Sequence, residues 1–392
     1  MCPSIDAPDD IAKAHQMGGP PFNLPWASFA EFFRSRTADP LLVHRTFLTY
    51  YDDDRQIRRT YTYAEFGDRV SRTAALMRRS LGLQRGDRVA TVLFNHDQTV
   101  VIYFAAWMLG IAVVPINIEE STEKKRYILE HSEAAAVFCR QDDLDEVKAI
   151  QAALRTLRAV VTVGDLEMHA AEPDSSLSAD SHPSLKDDAL IVYTSGTTGP
   201  PKGVVLTAEN LLMDADAITD WHGFGPEDRL MCVLPIHHVN GTVVTLVTPF
   251  YFKGSTVLNR KFKTGTFWRR LHDEQVTCVS VVPTLLEFLL EANEDLTGYK
   301  LDRFGGFICG AGPLLKETAA RFEDRFRFPI RHGYGLSETT CYSCFLPNDL
   351  SPAQHRHWLL DYEFPSIGVP FKHNDMAILD DRGRMVPEMA RG

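Results

Sequence analysis

The residues best equipped for chemistry stand in one run, Tyr193-Thr194-Ser195-Gly196-Thr197-Thr198-Gly199-Pro200-Pro201-Lys202-Gly203. Its glycines let backbone amides approach a ligand closely, and successive N–H groups in such a loop form a concave nest for an anion. The hydroxyls of Thr194, Ser195, Thr197 and Thr198 add donors, and Lys202 adds a full charge that can follow a phosphate. Together these residue types make a phosphate cradle. It is not a Walker loop, because Pro201 precedes Lys202 and Gly203 follows it, so the GxxxxGK[ST] spacing fails. The plain alternative is a surface hairpin loop rich in small polar residues.

Three further segments carry chemistry-bearing side chains. His332-Gly333-Tyr334-Gly335-Leu336-Ser337-Glu338 is a turn that offers a ring, a hydroxyl and a carboxylate. Gly310-Ala311-Gly312 is a small-residue turn after a strand, for which close strand–helix packing is the alternative. His237 and His238 stand at the end of a predicted strand, where adjacent side chains point to opposite faces, so a shared metal is disfavoured. Cys341 and Cys344 form a CxxC without a second such pair, and His355 and His357 are badly spaced for zinc. A structural role is the reading there.

The elements that must position these groups follow from hydrophobic pattern. Ala189–Tyr193 and Val204–Thr207 read as strands on either side of the cradle. Upstream, Thr60–Phe66 turns from strand into a helix ending near Gly82, and Val89–Phe94 is a buried strand. A helix runs from Ser121 or Thr122 to His131, followed by a strand at 135–138. Val100 to Ile116 carries no charge and approaches membrane-spanning length, but Gly110 and Pro115 interrupt it. It reads as a buried helix, a turn and a buried strand. Residues 1–25 read as an irregular arm, and 168–188 as a loop delivering the chain to the cradle. Near the C-terminus, strands Met376–Leu379 and Met385–Val386 flank the turn Asp380-Asp381-Arg382-Gly383. Strands alternating with helices in this way imply an α/β fold of layered sheets with parallel segments.

A chain of 392 residues with 44% apolar content can bury a large core and suggests two or three subdomains. Its net charge of −11, with scattered basic residues, argues against non-specific nucleic-acid binding, so an anionic ligand needs a local site. Seven cysteines without framework spacing read as reduced thiols of a cytoplasmic protein. The acidic start has no apolar core and is no signal peptide.

The cradle resembles the signature loop of the adenylate-forming superfamily, which includes acyl-CoA synthetases, peptide-synthetase adenylation domains and firefly luciferase. Tyr61-Thr62-Tyr63-Ala64-Glu65-Phe66 and the stretch from Trp107 to Asn117 are similar to structural motifs of the same family. The resemblance implies that Thr194 to Gly199 and Lys202 hold ATP phosphates and that Gly310, Ala311 and Gly312 line the edge where adenine stacks. Gly312 stands where the family often has Ala, which implies a slightly roomier pocket. In the turn that begins with His332 and Gly333 and includes Gly335, the resemblance has Tyr334 stack on adenine and Ser337 bond the α-phosphate. Mg²⁺ prefers one or two carboxylates plus phosphate oxygens and water, and Glu338 is its candidate ligand.

Val233–Gly241 is similar to the acyl-CoA synthetase segment Pro-Leu-Phe-His-Val-x-Gly, with His238 on its histidine, between acyl pocket and CoA tunnel. Peptide-synthetase domains place there an aspartate that grips an α-amino group; none stands here, so an amino-acid substrate is disfavoured. Val239, Asn240, Val281, Ile308 and Cys309 suggest a mainly apolar acyl pocket with one polar group. The implied architecture is the family's large N-terminal domain over residues 1–392, with a partial β-rich third subdomain at its C-terminal end. In the family the chain continues with a ribose-binding aspartate, a hinge and a lid carrying a lysine; none of these stands in the 392 residues. The expectation is a chain that binds ATP or AMP but ligates poorly without a lid. Three functions stay open: an acid–CoA ligase using ATP, Mg²⁺ and CoA, an enzyme loading an acyl carrier protein, and a non-catalytic nucleotide- or acyl-binding protein. Self-association as a homodimer is also open.

Overall fold

The computed structural model describes residues 22–168, 183–194, 199–382 and 384–386. They form two sheets flanked by helices. The six-stranded sheet runs in the order Ala159–Thr162, Ala136–Cys139, Arg88–Val92, Ala112–Ile116, Asp188–Thr194, Lys202–Thr207. All neighbours are parallel except the last pair, an antiparallel hairpin. The nine-stranded sheet has a parallel centre from Ile330–Tyr334 through Phe307–Cys309, Cys278–Val281, Arg229–Cys232 and Ser255–Asn259 to Thr46–Asp52. Antiparallel strands close both of its edges.

The uncharged run resolves as expected from its interruptions. Asp97–Met108 is a helix buried on every side, and after a turn at Gly110 the strand Ala112–Ile116 is buried throughout. Among the described residues no helix is long and apolar enough to cross a membrane. This helix sits in the main core, where the ring of Phe250 meets Phe33, Phe47, Tyr63 and Phe104 at centroid distances of 4.9–5.4 Å. The helix also reaches the cradle. The Trp107 indole Nε1 donates to the Ala189 carbonyl at 2.7 Å, on the strand that leads into the loop.

Capping explains the helix boundaries. Thr62 and Glu65 form a capping box that starts the helix Tyr63–Ala75, and Ser121 caps Thr122–His131. At the margins of the expected loop 168–188, Met168 ends the helix Val163–Met168 and Asp188 begins a strand; residues 169–182 lie outside the described residues. The C-terminal β-rich part is correspondingly small. Its two expected strands are replaced by a single bridge between Leu379 and Met385, with Gly383 outside the described residues. Strong turn chemistry around Asp380 holds that bridge, as its carboxylate accepts from the Arg382 and Arg384 amides.

Phe250→Ala is expected to cost about 3–5 kcal/mol of stability, as a large ring is removed from a fully packed core. Urea unfolding checks this, and a loss below about 1 kcal/mol contradicts the placement of Phe250 at the centre of the core.

Candidate active site

The cradle is the connection of a hairpin whose register pairs Thr194 with Lys202 and Tyr193 with Gly203. Its lysine therefore stands directly opposite the last residue before the loop. Ser195, Gly196, Thr197 and Thr198 lie outside the described residues. One helix, Thr122–His131, steadies both legs of the hairpin. His131 Nδ1 shares a 2.8 Å hydrogen bond with the Tyr193 hydroxyl, and the Tyr127 hydroxyl donates to the Pro201 carbonyl at 3.1 Å. Lys202 is exposed and has no ion-pair partner among the described residues.

The strand Lys202–Thr207 lies against the 3-10 turn Ser337–Thr339. The two segments carrying the lysine and the carboxylate thus meet. Glu338 is exposed and makes no hydrogen bond or ion pair among the described residues. The backbone around it is tightly folded: a Cβ on Gly335 would lie 1.7 Å from the Cys341 carbonyl oxygen. Only glycine fits there.

Next to this junction opens a cavity of about 870 Å³. Of the residues singled out from sequence, His238, Val239, Asn240, Ala311, Gly312, His332, Gly333, Tyr334, Gly335 and Ser337 line it. Thr194, Gly199, Lys202 and Glu338 are not in its wall; the hairpin and the turn stand beside it. Gly310 is beneath the surface, where a Cβ would come within 2.7 Å of the Tyr342 ring.

Three expected acyl-pocket residues are corrected. Val281, Ile308 and Cys309 are fully buried in apolar core clusters, within the strands themselves. At these two strands the cavity begins past the strand end, so Val282 takes the place expected for Val281. The histidine pair is corrected too. The strand ends at Cys232, and His237 and His238 lie in the turn after it with ring centroids 4.4 Å apart. Neighbours in a turn are free of the alternation a strand imposes. Cys341 and Cys344 are buried free thiols, and among the described residues no cluster of His, Cys, Asp and Glu suits a metal by itself.

Several positioning residues escaped the sequence reading. Asn95 is buried, and its Nδ2 donates to the carbonyls of Leu234 at 2.9 Å and Asn259 at 3.0 Å. Its Oδ1 accepts from the Ile236 amide at 2.8 Å, so one side chain fixes the turn that bears the histidines. Ser280 donates to Asn240 Oδ1 at 2.6 Å, and Asn240 Nδ2 donates to the Tyr342 hydroxyl at 3.1 Å, making a satisfied polar floor. His332 Nδ1 bonds the Ser366 carbonyl at 2.8 Å, which ties the wall segment 364–367 across the cavity. A carbonyl can only accept, so Nδ1 carries the proton there. The strand read as Val89–Phe94 is Arg88–Val92 in the structure, so Asn95 lies three residues past its end, a position where a buried amide is a usable signal.

Burial governs the histidines. The His237 imidazole is pushed down to about 3, first by burial and then by His238. Burial also lowers His222, His238 and His332, with Glu120 opposing it at His238. His238 is open to solvent on the cavity side, while the walls around it still disfavour its charged form.

The AMP-binding enzyme family matches residues 42–392 of the chain. Sulfoacetate–CoA ligase of Cupriavidus necator is 33% identical over 280 residues, covering 70% of this chain and 54% of that protein. 2-Succinylbenzoate–CoA ligase of Bacillus licheniformis is 32% identical over 287 residues, covering 71% and 55%. The chain thus spans about half the length of these curated relatives. Among solved structures, the N-terminal domain of FACL13 from Mycobacterium tuberculosis superposes with a TM-score of 0.78 at 21% identity, covering 92% of this chain and 87% of that one. That likeness bears on the fold.

Two measurements test this geometry. Asn95→Ala leaves three backbone groups without their partner and is expected to cost about 2–4 kcal/mol in urea unfolding; a neutral change contradicts the anchoring role. An unfolded histidine binds its proton near pH 6.5, whereas folded His237 does so only near 3. Stability therefore falls as pH drops through that window. His237→Gln is expected to flatten this slope, and an unchanged slope contradicts the buried neutral imidazole.

Proposed function

The chain belongs to the AMP-binding enzyme family, and on that premise we infer that it activates a carboxylic acid with ATP and passes the acyl group to the thiol of CoA. The observation that carries this reading is the junction of the Lys202 strand with the Glu338 turn beside one large cavity. In the first step a carboxylate oxygen attacks the α-phosphorus in line, and the bond to the β-phosphate breaks with pyrophosphate leaving. Both reactants are anions, so the catalytic task is positioning and neutralisation of charge. On this reading Lys202 and the cradle would hold the phosphates and Ser337 would donate to the α-phosphate, while Tyr334, exposed at the rim, would offer its ring to adenine. The free carboxylate of Glu338 fits Mg²⁺ shared with phosphate oxygens; when bound, the ion supplies further neutralisation.

In the second step the thiol sulfur attacks the acyl carbon and AMP leaves. His238 stands at the cavity wall, its charged form disfavoured by burial, and on the resemblance it would stand between acyl group and thiol. The apolar residues Val239, Val282 and Leu314 with the polar floor at Asn240 and Tyr342 form the acid's surroundings. CoA ranks above a carrier protein as acceptor because the segment holding His238 resembles that of acyl-CoA synthetases and lacks the aspartate of peptide-synthetase domains, and relatives 33% and 32% identical are CoA ligases.

Calorimetric titration tests the assignment. Glu338→Gln is expected to weaken ATP binding about tenfold in the presence of Mg²⁺ while leaving Mg²⁺-free AMP binding unchanged. Equal Mg²⁺–ATP affinity in the variant and the parent contradicts the metal role.

A further inference from the structure

A second cleft, of about 510 Å³, opens between the helices Lys316–Phe326 and Pro352–Leu360, at the start of the strand Ile330–Tyr334. The large cavity takes up the same strand from His332 onward, but the two openings share no lining residue. Arg327, Arg331 and Arg356 line the second cleft with Glu323 and Asp324. Its acidic groups are already engaged. Asp324 pairs with Arg356 at 3.2 Å, and Glu323 accepts from the Ile330 amide and meets His355, each at 2.8 Å.

Arg327 and Arg331 are left over, since neither pairs with a carboxylate among the described residues. Arg331 is half-buried, and its field together with burial keeps the neighbouring His222 neutral. A guanidinium withdrawn from water without a counter-charge bears a desolvation penalty that a bound anion removes. The first turn of the helix Pro352–Leu360 also borders the cleft and adds the positive end of its dipole. Phe328, Pro329 and Leu346 provide apolar walls around these charges.

We propose that this cleft binds a small organic phosphate, its dianionic head between Arg327 and Arg331 and its apolar body against Phe328, Pro329 and Leu346. The forked guanidinium suits phosphate oxygens better than an ammonium would. Because the cleft shares no lining residue with the large cavity, its occupant does not compete with AMP, and the assignment stands whether or not the chain adenylates acids.

The test is ligand-observed saturation-transfer NMR and calorimetry of the whole chain with phenyl phosphate. Saturable binding is expected that AMP does not displace. Arg331→Met and Arg327→Glu should each weaken it about tenfold. No saturable binding at millimolar concentration, displacement by AMP, or unchanged affinity in the folded variants overturns the proposal. Arg327 is exposed at a helix end, so Arg327→Glu decides the matter if Arg331→Met fails to fold.

Discussion

Parallel strands all stop at one edge, and that shared edge governs the rest of this structure. Where the backbone ladder ends, the next residues must turn, and their amides and carbonyls lose their sheet partners. Ligand sites in open α/β sheets form there for that reason. The wall of the large cavity follows the rule closely. Val282 comes just after the strand Cys278–Val281, Ala311 and Gly312 just after Phe307–Cys309, and Gly335 to Ser337 just after Ile330–Tyr334. Ile308 and Cys309, inside their strand, are consumed by the core, whereas His332, Gly333 and Tyr334 reach the cavity from within theirs.

Turns placed at such an edge need to be held, and the protein uses side-chain hydrogen bonds for it. Asn95 belongs to the six-stranded half, yet it bonds three backbone groups of the nine-stranded half. It joins the halves where the histidine-bearing turn begins. His332 holds the segment around Ser366, and the helix Thr122–His131 holds both legs of the cradle through Tyr127 and His131. The three Asn95 bonds cost more to break than they stabilise when made, because a buried group left unpaired bears its full desolvation penalty. That asymmetry gives a site built from loops the rigidity of the sheets beneath it.

Much of this was legible in the residues. The strands around the cradle, the buried helix within 100–116 and the helix capped by Ser121 are local features, set by hydrophobic period and capping chemistry. The ring, hydroxyl and carboxylate types of the turn at 334–338 identified themselves. Less legible was which of several consecutive residues faces the cavity, since a displacement of one position exchanges core for pocket, as between Val281 and Val282. The histidine pair was misjudged because the strand stops at Cys232, before them. Phe364 and Ile367 carry no chemistry in their types, and only tertiary packing brings them, with Tyr342, to the cavity wall.

The central claim is that the lysine-bearing hairpin and the carboxylate-bearing turn serve one nucleotide. Amide hydrogen exchange, followed by mass spectrometry with and without Mg²⁺ and a non-hydrolysable ATP analogue, tests it most directly. Exchange is predicted to slow together in peptides spanning Tyr193–Gly203 and His332–Thr340, with the same dependence on nucleotide concentration. Slowing in one of these segments alone, or in neither, contradicts the account.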